Sequence, residues 1–218
     1  MSRTMTVKGT GRISLKPDLT VVTMSLTSLN KDYDKSMAEA ADRLSQLRAV
    51  LVSIGFSGED LKTTNFNVNT EYESQPDKNG RYRSVFKGYA CRHGLKLEFG
   101  FDTKRLSAVL SAVAGCIAEP ELNIRFTVKD REAAADELLR SAAENARHKA
   151  EVLAAASGVR LTQLMAVNYD WVDVNMYSRT EYAMDRKCMA MPAGGVDMSF
   201  TPEDVDLSDS AAFIWEIE

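Results

Sequence analysis

Histidine is almost missing from this 218-residue chain. There are two, His93 and His148, and neither stands in an HxH, HxxxH or HExxH spacing, so a zinc hydrolase centre has no ligand set here. Cysteine is as scarce. Cys91, Cys116 and Cys188 form no CxxC pair, and an odd, sparse set of thiols reads as free cysteine, not as a disulfide framework. Cys91 and Cys116 fall in apolar-periodic segments, where a thiol acts as a small hydrophobe. The longest apolar runs, 108–114 and 150–156, are far shorter than the ~20 residues that a membrane-spanning helix needs.

The phosphate-binding signatures are missing too. No GxxxxGK[ST] loop occurs, and Gly9-Thr10-Gly11 lacks the third glycine and following helix of a dinucleotide fingerprint. Gly55-Phe56-Ser57-Gly58 brings its second glycine one residue too early for a nucleophile elbow and follows a helix pattern, so it reads as a helix-ending turn. Adjacent acids at Glu59-Asp60 and Glu203-Asp204 sit on turns, where they cap or solvate instead of converging on one bond. An excess of positive charge is also lacking: 27 Lys and Arg stand against 31 Asp and Glu, for a net charge of -4. Nucleic acid, which needs a concentrated basic surface, is excluded as a partner on that balance. The short basic clusters Arg81-Tyr82-Arg83 and Arg186-Lys187 read as solvated hairpin and loop charges.

What is present is a regular alternation of strand and helix signals. Residues 4–14 and 19–29 alternate with period two and are joined by a Pro17-Asp18 turn. Asn30 or Asp32 can cap a helix whose apolar stripe runs Met37, Ala41, Leu44, Leu47, Leu51, Ile54 and stops at Gly55. Strand-like segments 61–73 and 82–99 form a long hairpin around Pro76-Asp77-Lys78-Asn79-Gly80. A short helix follows Asp102 or Thr103 through Leu106, Val109, Leu110 and Val113, and 122–128 is a strand. Asp130 caps a long alanine-rich helix carrying Ala134, Leu138, Ala142, Ala146, Ala150 and Leu153 on one face and ending at Gly158. Strands at 161–174 and 205–217 complete the reading.

Between those last two strands, residues 175–202 show no sustained period and read as a long loop, the kind that serves function or an interface. Met184, Cys188, Met189 and Met191 bring thioether and thiolate sulfur together there, a set suited to Cu(I) or to reversible oxidation. The plainer reading, an adaptable methionine-rich interface, is preferred, so no metal, cofactor or catalytic residue is assigned. The expected fold is α+β: a mainly antiparallel sheet with the two long amphipathic helices on one face. The two halves echo each other, which gives one domain over 1–218 with sub-lobes 1–116 and 117–218.

The same segments, in the same order, resemble the SIMPL-domain (YggE-like) family. Thr6-Val7-Lys8-Gly9-Thr10-Gly11 with Pro17-Asp18 resembles its opening strand and turn, Leu61-Lys62-Thr63-Thr64-Asn65-Phe66-Asn67-Val68 the strand after its first helix, and Gly88-Tyr89 the next strand. Ile124-Arg125-Phe126-Thr127-Val128, then 146–154 ending in Ser157-Gly158-Val159, and Thr201-Pro202-Glu203-Asp204-Val205 complete the match. The resemblance implies an α+β fold, ring-like or channel-like homo-oligomers in some relatives, links to stress tolerance and partner binding, and no catalytic residues.

The functional expectation is therefore a non-catalytic protein that self-associates through strand edges and the methionine-bearing loop, with a protein partner as a further option. The rivals are a hydrolase with acids gathered from distant strands and a soft-metal or redox buffer. Residues 1–7 enter a strand pattern without a leader-like segment, which predicts a cytoplasmic protein if Met1 is the natural start and a periplasmic or exported one if a leader was removed.

Overall fold

The computed structural model of the protein describes residues 3–76, 81–170, 174–184 and 200–218. Among these, three helices and eight strands follow in the order β1 (Arg3–Leu15), β2 (Leu19–Asn30), α1 (Tyr33–Ser53), β3 (Leu61–Pro76), β4 (Tyr82–Gly100), α2 (Thr103–Ala114), β5 (Glu121–Thr127), α3 (Arg131–Ser157), β6 (Leu161–Asn168), β7 (Tyr177–Met184) and β8 (Val205–Ile217). The class is α+β, as the periodicities predict. The strands lie in two sheets, ordered β1-β8-β6 and β3-β4-β2-β5-β7, and each long helix packs on its own sheet. The chain divides into two compact units, one of 1–18, 127–179 and 202–218, the other of 19–126 and 180–201.

In the first unit, β1 and β8 pair antiparallel in unbroken register from Arg3 opposite Ile217 to Leu15 opposite Val205. Helix α3 begins at Asp130, whose carboxylate accepts the Ala133 N–H at 2.9 Å, and ends at Gly158 in the left-handed region. Its buried residues, Ala134, Leu138, Ala142, Ala146, Ala150 and Ala154, recur every four positions as one straight ridge. Those small side chains let the backbone of β1 come close. A Cβ on Gly9 would lie 2.1 Å from the Ala142 carbonyl oxygen, and one on Gly11 2.1 Å from that of Leu138. Val7, Ala211, Phe213 and Trp215 fill the space against Ala146 and Ala150, the two rings stacked with centroids 5.6 Å apart. Asp18 ties the end of this unit's first segment to the segment before α3: its N–H donates to the Thr127 carbonyl and its carboxylate accepts from the Lys129 N–H at 2.7 Å.

In the second unit, α1 and α2 lie on the five-stranded sheet over a core of Val22, Met24, Leu26, Leu47, Leu51, Leu95, Leu97, Leu106, Ile124 and Phe126. Burying each such side chain stabilises the fold by ~1.5–3 kcal/mol, which makes this the larger hydrophobic contribution. Asp32 is the α1 cap and accepts the Asp34 N–H, while Asn30 accepts the N–H of Asp32 itself. The seam of α1 differs from the apolar stripe expected. Ser36 and Ala40 are buried with Leu47 and Leu51, whereas Ala41 is exposed and Leu44 only half-buried. Ser36 can occupy the seam because its hydroxyl donates to the Tyr89 carbonyl at 2.8 Å and lies 3.2 Å from the Cys91 sulfur. Cys91 and Cys116 are buried free thiols.

Two boundaries also differ. β6 stops at Asn168 instead of 174, and 177–184, expected as loop, is strand β7 at the edge of the five-stranded sheet. Its half-buried and buried positions alternate as Ser178, Thr180, Tyr182 and Met184. Two of those four are small and polar, so the alternation does not show in hydrophobicity.

Candidate functional site

The first unit contains a cavity of about 500 Å³ whose described lining is Leu138, Leu139, Ala135, Val174 and Met176 on the apolar side and Arg131, Glu132, Asp136, Tyr169 and Asp209 on the polar side. The acids come from the first two turns of α3 and from β8. The Tyr169 hydroxyl donates to Asp209 Oδ2 at 2.8 Å. That hydrogen bond, then burial, then the Asp209 charge hold the phenol above its ordinary pKa. Arg131 is turned to Tyr177: its guanidinium lies 5.2 Å from the ring centroid and donates to the hydroxyl at 3.1 Å. No serine, cysteine or histidine is among the described lining residues. The arrangement can hold a small molecule of mixed apolar and cationic character.

The second unit presents a different feature. β2 pairs with β4 only as far as Asn30 opposite Tyr89, whereas β3 and β4 continue together to Pro76 opposite Tyr82. Among the described residues, the hairpin beyond Tyr89 is therefore a two-stranded arm. At its root the register shifts between Glu71 and Tyr72, and Gly88 takes φ +153° with its Cα against the Asn30 carbonyl, where a Cβ would lie 2.5 Å from the oxygen. Along one face of the arm and its root run four rings in edge-to-face contact: Tyr72 with Phe86 at 5.7 Å, Phe86 with Tyr89 at 5.4 Å, and Tyr89 with Tyr33 at 5.5 Å. Tyr89 is half-buried and the other three are exposed, Tyr72 to 59% and Tyr33 to 48%, as is Tyr82 further up, to 74%.

The residues singled out in the sequence fall mostly outside both features. His93 is buried on the interior strand β4, not at an edge, with Nε2 2.9 Å from Thr63 Oγ1 and its ring against Phe66. Burial, and then the charge of Arg48, lower its pKa. His148 is exposed on α3. Asp60 accepts the Ser57 N–H and so closes the turn around Glu59-Asp60, and the Glu203 carbonyl accepts from Ser178. Of the sulfur set, Met184 packs against the core of the second unit, while Cys188, Met189 and Met191 lie outside the described residues. Neither the cavity nor the aromatic ladder was legible in advance. The one available signal was the aromatic content of 72–89, but strict alternation would have put Tyr82 and Phe86 on one face and Tyr89 on the other, because the register shift at the root of the arm does not show in the sequence.

The landmark residues of the family resemblance have structural work. Gly9 and Gly11 admit α3, Asp18 makes the clamp described above, Asn65 Oδ1 accepts the Gly94 N–H at a bulge, and Gly88 forms the root of the arm. None of them lines the cavity.

Fold and site together define a two-unit antiparallel α+β protein with an acid-lined cavity and an aromatic arm. The chain belongs to the SIMPL family, described as protein of unknown function (DUF541), whose profile matches residues 5–215. It is 24% identical over 165 residues to the 26 kDa periplasmic immunogenic protein of Brucella melitensis, covering 74% of this chain and 64% of that one. Against the uncharacterized protein YggE of Escherichia coli K12 the identity is 20% over 210 residues, 96% of this chain and 81% of the relative. A YggE protein of Edwardsiella ictaluri is 24% identical over 161 residues, 74% and 65% of the two chains. No described helix is long and apolar enough to cross a membrane.

Proposed function

We propose that this protein acts without catalysis, by associating with copies of itself and binding through surfaces at its strand margins. The observation that carries this reading is the arm. A two-stranded ribbon is marginal in water unless something packs on it, yet this one exposes the rings of Tyr72, Tyr82 and Phe86. Aromatic surface of this kind is enriched at protein interfaces. The test is the mass in solution of the wild type and of Tyr72→Ser with Phe86→Ser. The reading expects an oligomer for the first and a smaller species for the second, with both equally folded by circular dichroism. A wild-type monomer would overturn it.

The cavity supports the rival hydrolase reading, because Glu132 and Asp136 reach it from α3 and Asp209 from β8. Turnover of chromogenic ester or phosphodiester substrates that disappears in Asp209→Asn would favour that reading; no turnover in the wild type leaves the binding role. Residence outside the cytoplasm is proposed on the likeness to a relative named as periplasmic. Recovery of the native gene product in the osmotic-shock fraction tests it.

A further inference from the structure

The cavity of the first unit is lined by three carboxylates and one guanidinium, and the guanidinium is already engaged: Arg131 lies against the Tyr177 ring and donates to its hydroxyl. Arg140, the next base along α3, pairs with Glu137. Glu132 and Asp136 stand four residues apart on one helix face, and among the described residues neither has a hydrogen bond or an ion pair. Like charges at that spacing destabilise a helix. The helix dipole favours Glu132 in the first turn, but its influence fades within that turn and does not account for Asp136. Asp209 reaches the cavity from β8 and is fixed in place, with Oδ2 accepting from the Tyr169 hydroxyl and Oδ1 from the Ser210 N–H at 2.7 Å. An ionised carboxylate has about four acceptor sites, so it still has capacity for a donor.

Beside these charges the wall is apolar. Leu138 is buried, and Ala135, Leu139, Val174 and Met176 are half-buried around a space of about 500 Å³, within the ~300–1,000 Å³ of small-molecule sites. The sign of the charges turns away an anion. Their spacing turns away a bare divalent ion, whose oxygen ligands must meet at one point: among the described residues no three acids are grouped closely enough to hold a metal. An organic cation needs no such convergence, because an ammonium offers three donors to separate acceptors while its carbon body takes the apolar wall. We propose that this cavity binds an organic ammonium ion, its nitrogen drawn to the carboxylates of Glu132, Asp136 and Asp209 and its hydrocarbon part lying on Leu139, Val174 and Met176. This function goes beyond the self-association reading and does not depend on it.

Calorimetric titration of the full chain with hexylammonium, methylammonium, hexanol and hexanoate tests it. Hexylammonium is expected to bind once per chain. Each fully buried methylene contributes about fourfold in affinity, so methylammonium, which keeps the charge and loses the tail, is expected to bind at least tenfold more weakly. Hexanol, which keeps the tail and loses the charge, is expected to be weaker by at least tenfold too, and hexanoate not to bind. Glu132→Gln with Asp136→Asn, both at exposed positions, is expected to lose at least tenfold in affinity for hexylammonium while its thermal melt shows a folded chain. A readout without substitution places the ligand: in the wild type with labelled methionine methyls, hexylammonium should shift the Met176 signal and leave Met24, in the core of the second unit, unmoved. Equal binding of methylammonium and hexylammonium would show only counter-ions gathered by surface acids and overturn the site. Unchanged affinity in the double variant, an unmoved Met176 signal, or no saturable binding would each overturn it as well.

Discussion

Gly9 stands so close to Ala142 that a Cβ on residue 9 would come within 2.1 Å of the Ala142 carbonyl oxygen and within 2.6 Å of the Ala146 methyl. The carbonyl is backbone in the middle of α3 and has no rotamer by which to yield. Gly9→Ala is therefore expected to destabilise the first unit by ~1–3 kcal/mol or more, through overpacking. Gly58→Ala, where no atom lies within 4 Å of the added carbon, should stay within about ±0.5 kcal/mol. Urea melts of the two variants check this; equal effects would mean that β1 and α3 are not packed as described.

Leu47 has no exposed surface and Leu44, one turn earlier, is half-buried. Leu47→Ala should cost ~2–5 kcal/mol, as lost transfer energy plus the cavity left behind. Leu44→Ala should cost clearly less, and exposed Arg48→Ala within about ±0.5 kcal/mol. If Leu44 proved the costlier site in denaturant melts, the seam of α1 would be turned from Ser36 and Ala40 toward Ala41.

The stripe on α1 shows where reading the sequence succeeds and where it stops. Caps are local, so Asp32, Asp102 and Asp130 and the stop at Gly158 were legible, as were strands 19–29 and 205–217 and the ridge on α3 as far as Ala150; its last position is Ala154, and Leu153, expected there, is exposed. Ser36 was not, because what lets a hydroxyl into the seam is the Tyr89 carbonyl, which a distant strand supplies. β7 hid for a similar reason, with Ser178 and Thr180 at covered positions. The cavity unites α3 with Tyr169 and Asp209, and the arm depends on where β2 ends, so both follow from pairings that no local pattern encodes.

His93 is held neutral in the folded chain, first by burial and then by Arg48. Its folded pKa lies below its ordinary value of 6.5, so the unfolded chain binds the proton more readily. Stability is then full above pH 6.5 and falls as the pH drops through 6.5 toward the folded value. Urea midpoints between pH 8 and pH 5 should show this fall, and His93→Gln should flatten it. A wild-type profile no steeper than that of the variant would contradict the assignment.

Tyr169 ionises above the ordinary phenol value because it donates to Asp209. Phenolate absorbance near 295 nm, followed as the difference between wild type and Tyr169→Phe, should titrate above pH 10, and Asp209→Asn should move that transition down. An unchanged transition in Asp209→Asn would separate the two residues in solution and open the polar side of the cavity.

The central claim is that this chain functions as an assembly of its own copies, and the most direct measurement is its absolute mass by light scattering across a concentration series. The account predicts a discrete multiple of 24.1 kDa that falls when Tyr72 and Phe86 become serine. A wild-type mass of one chain at high micromolar concentration would contradict it.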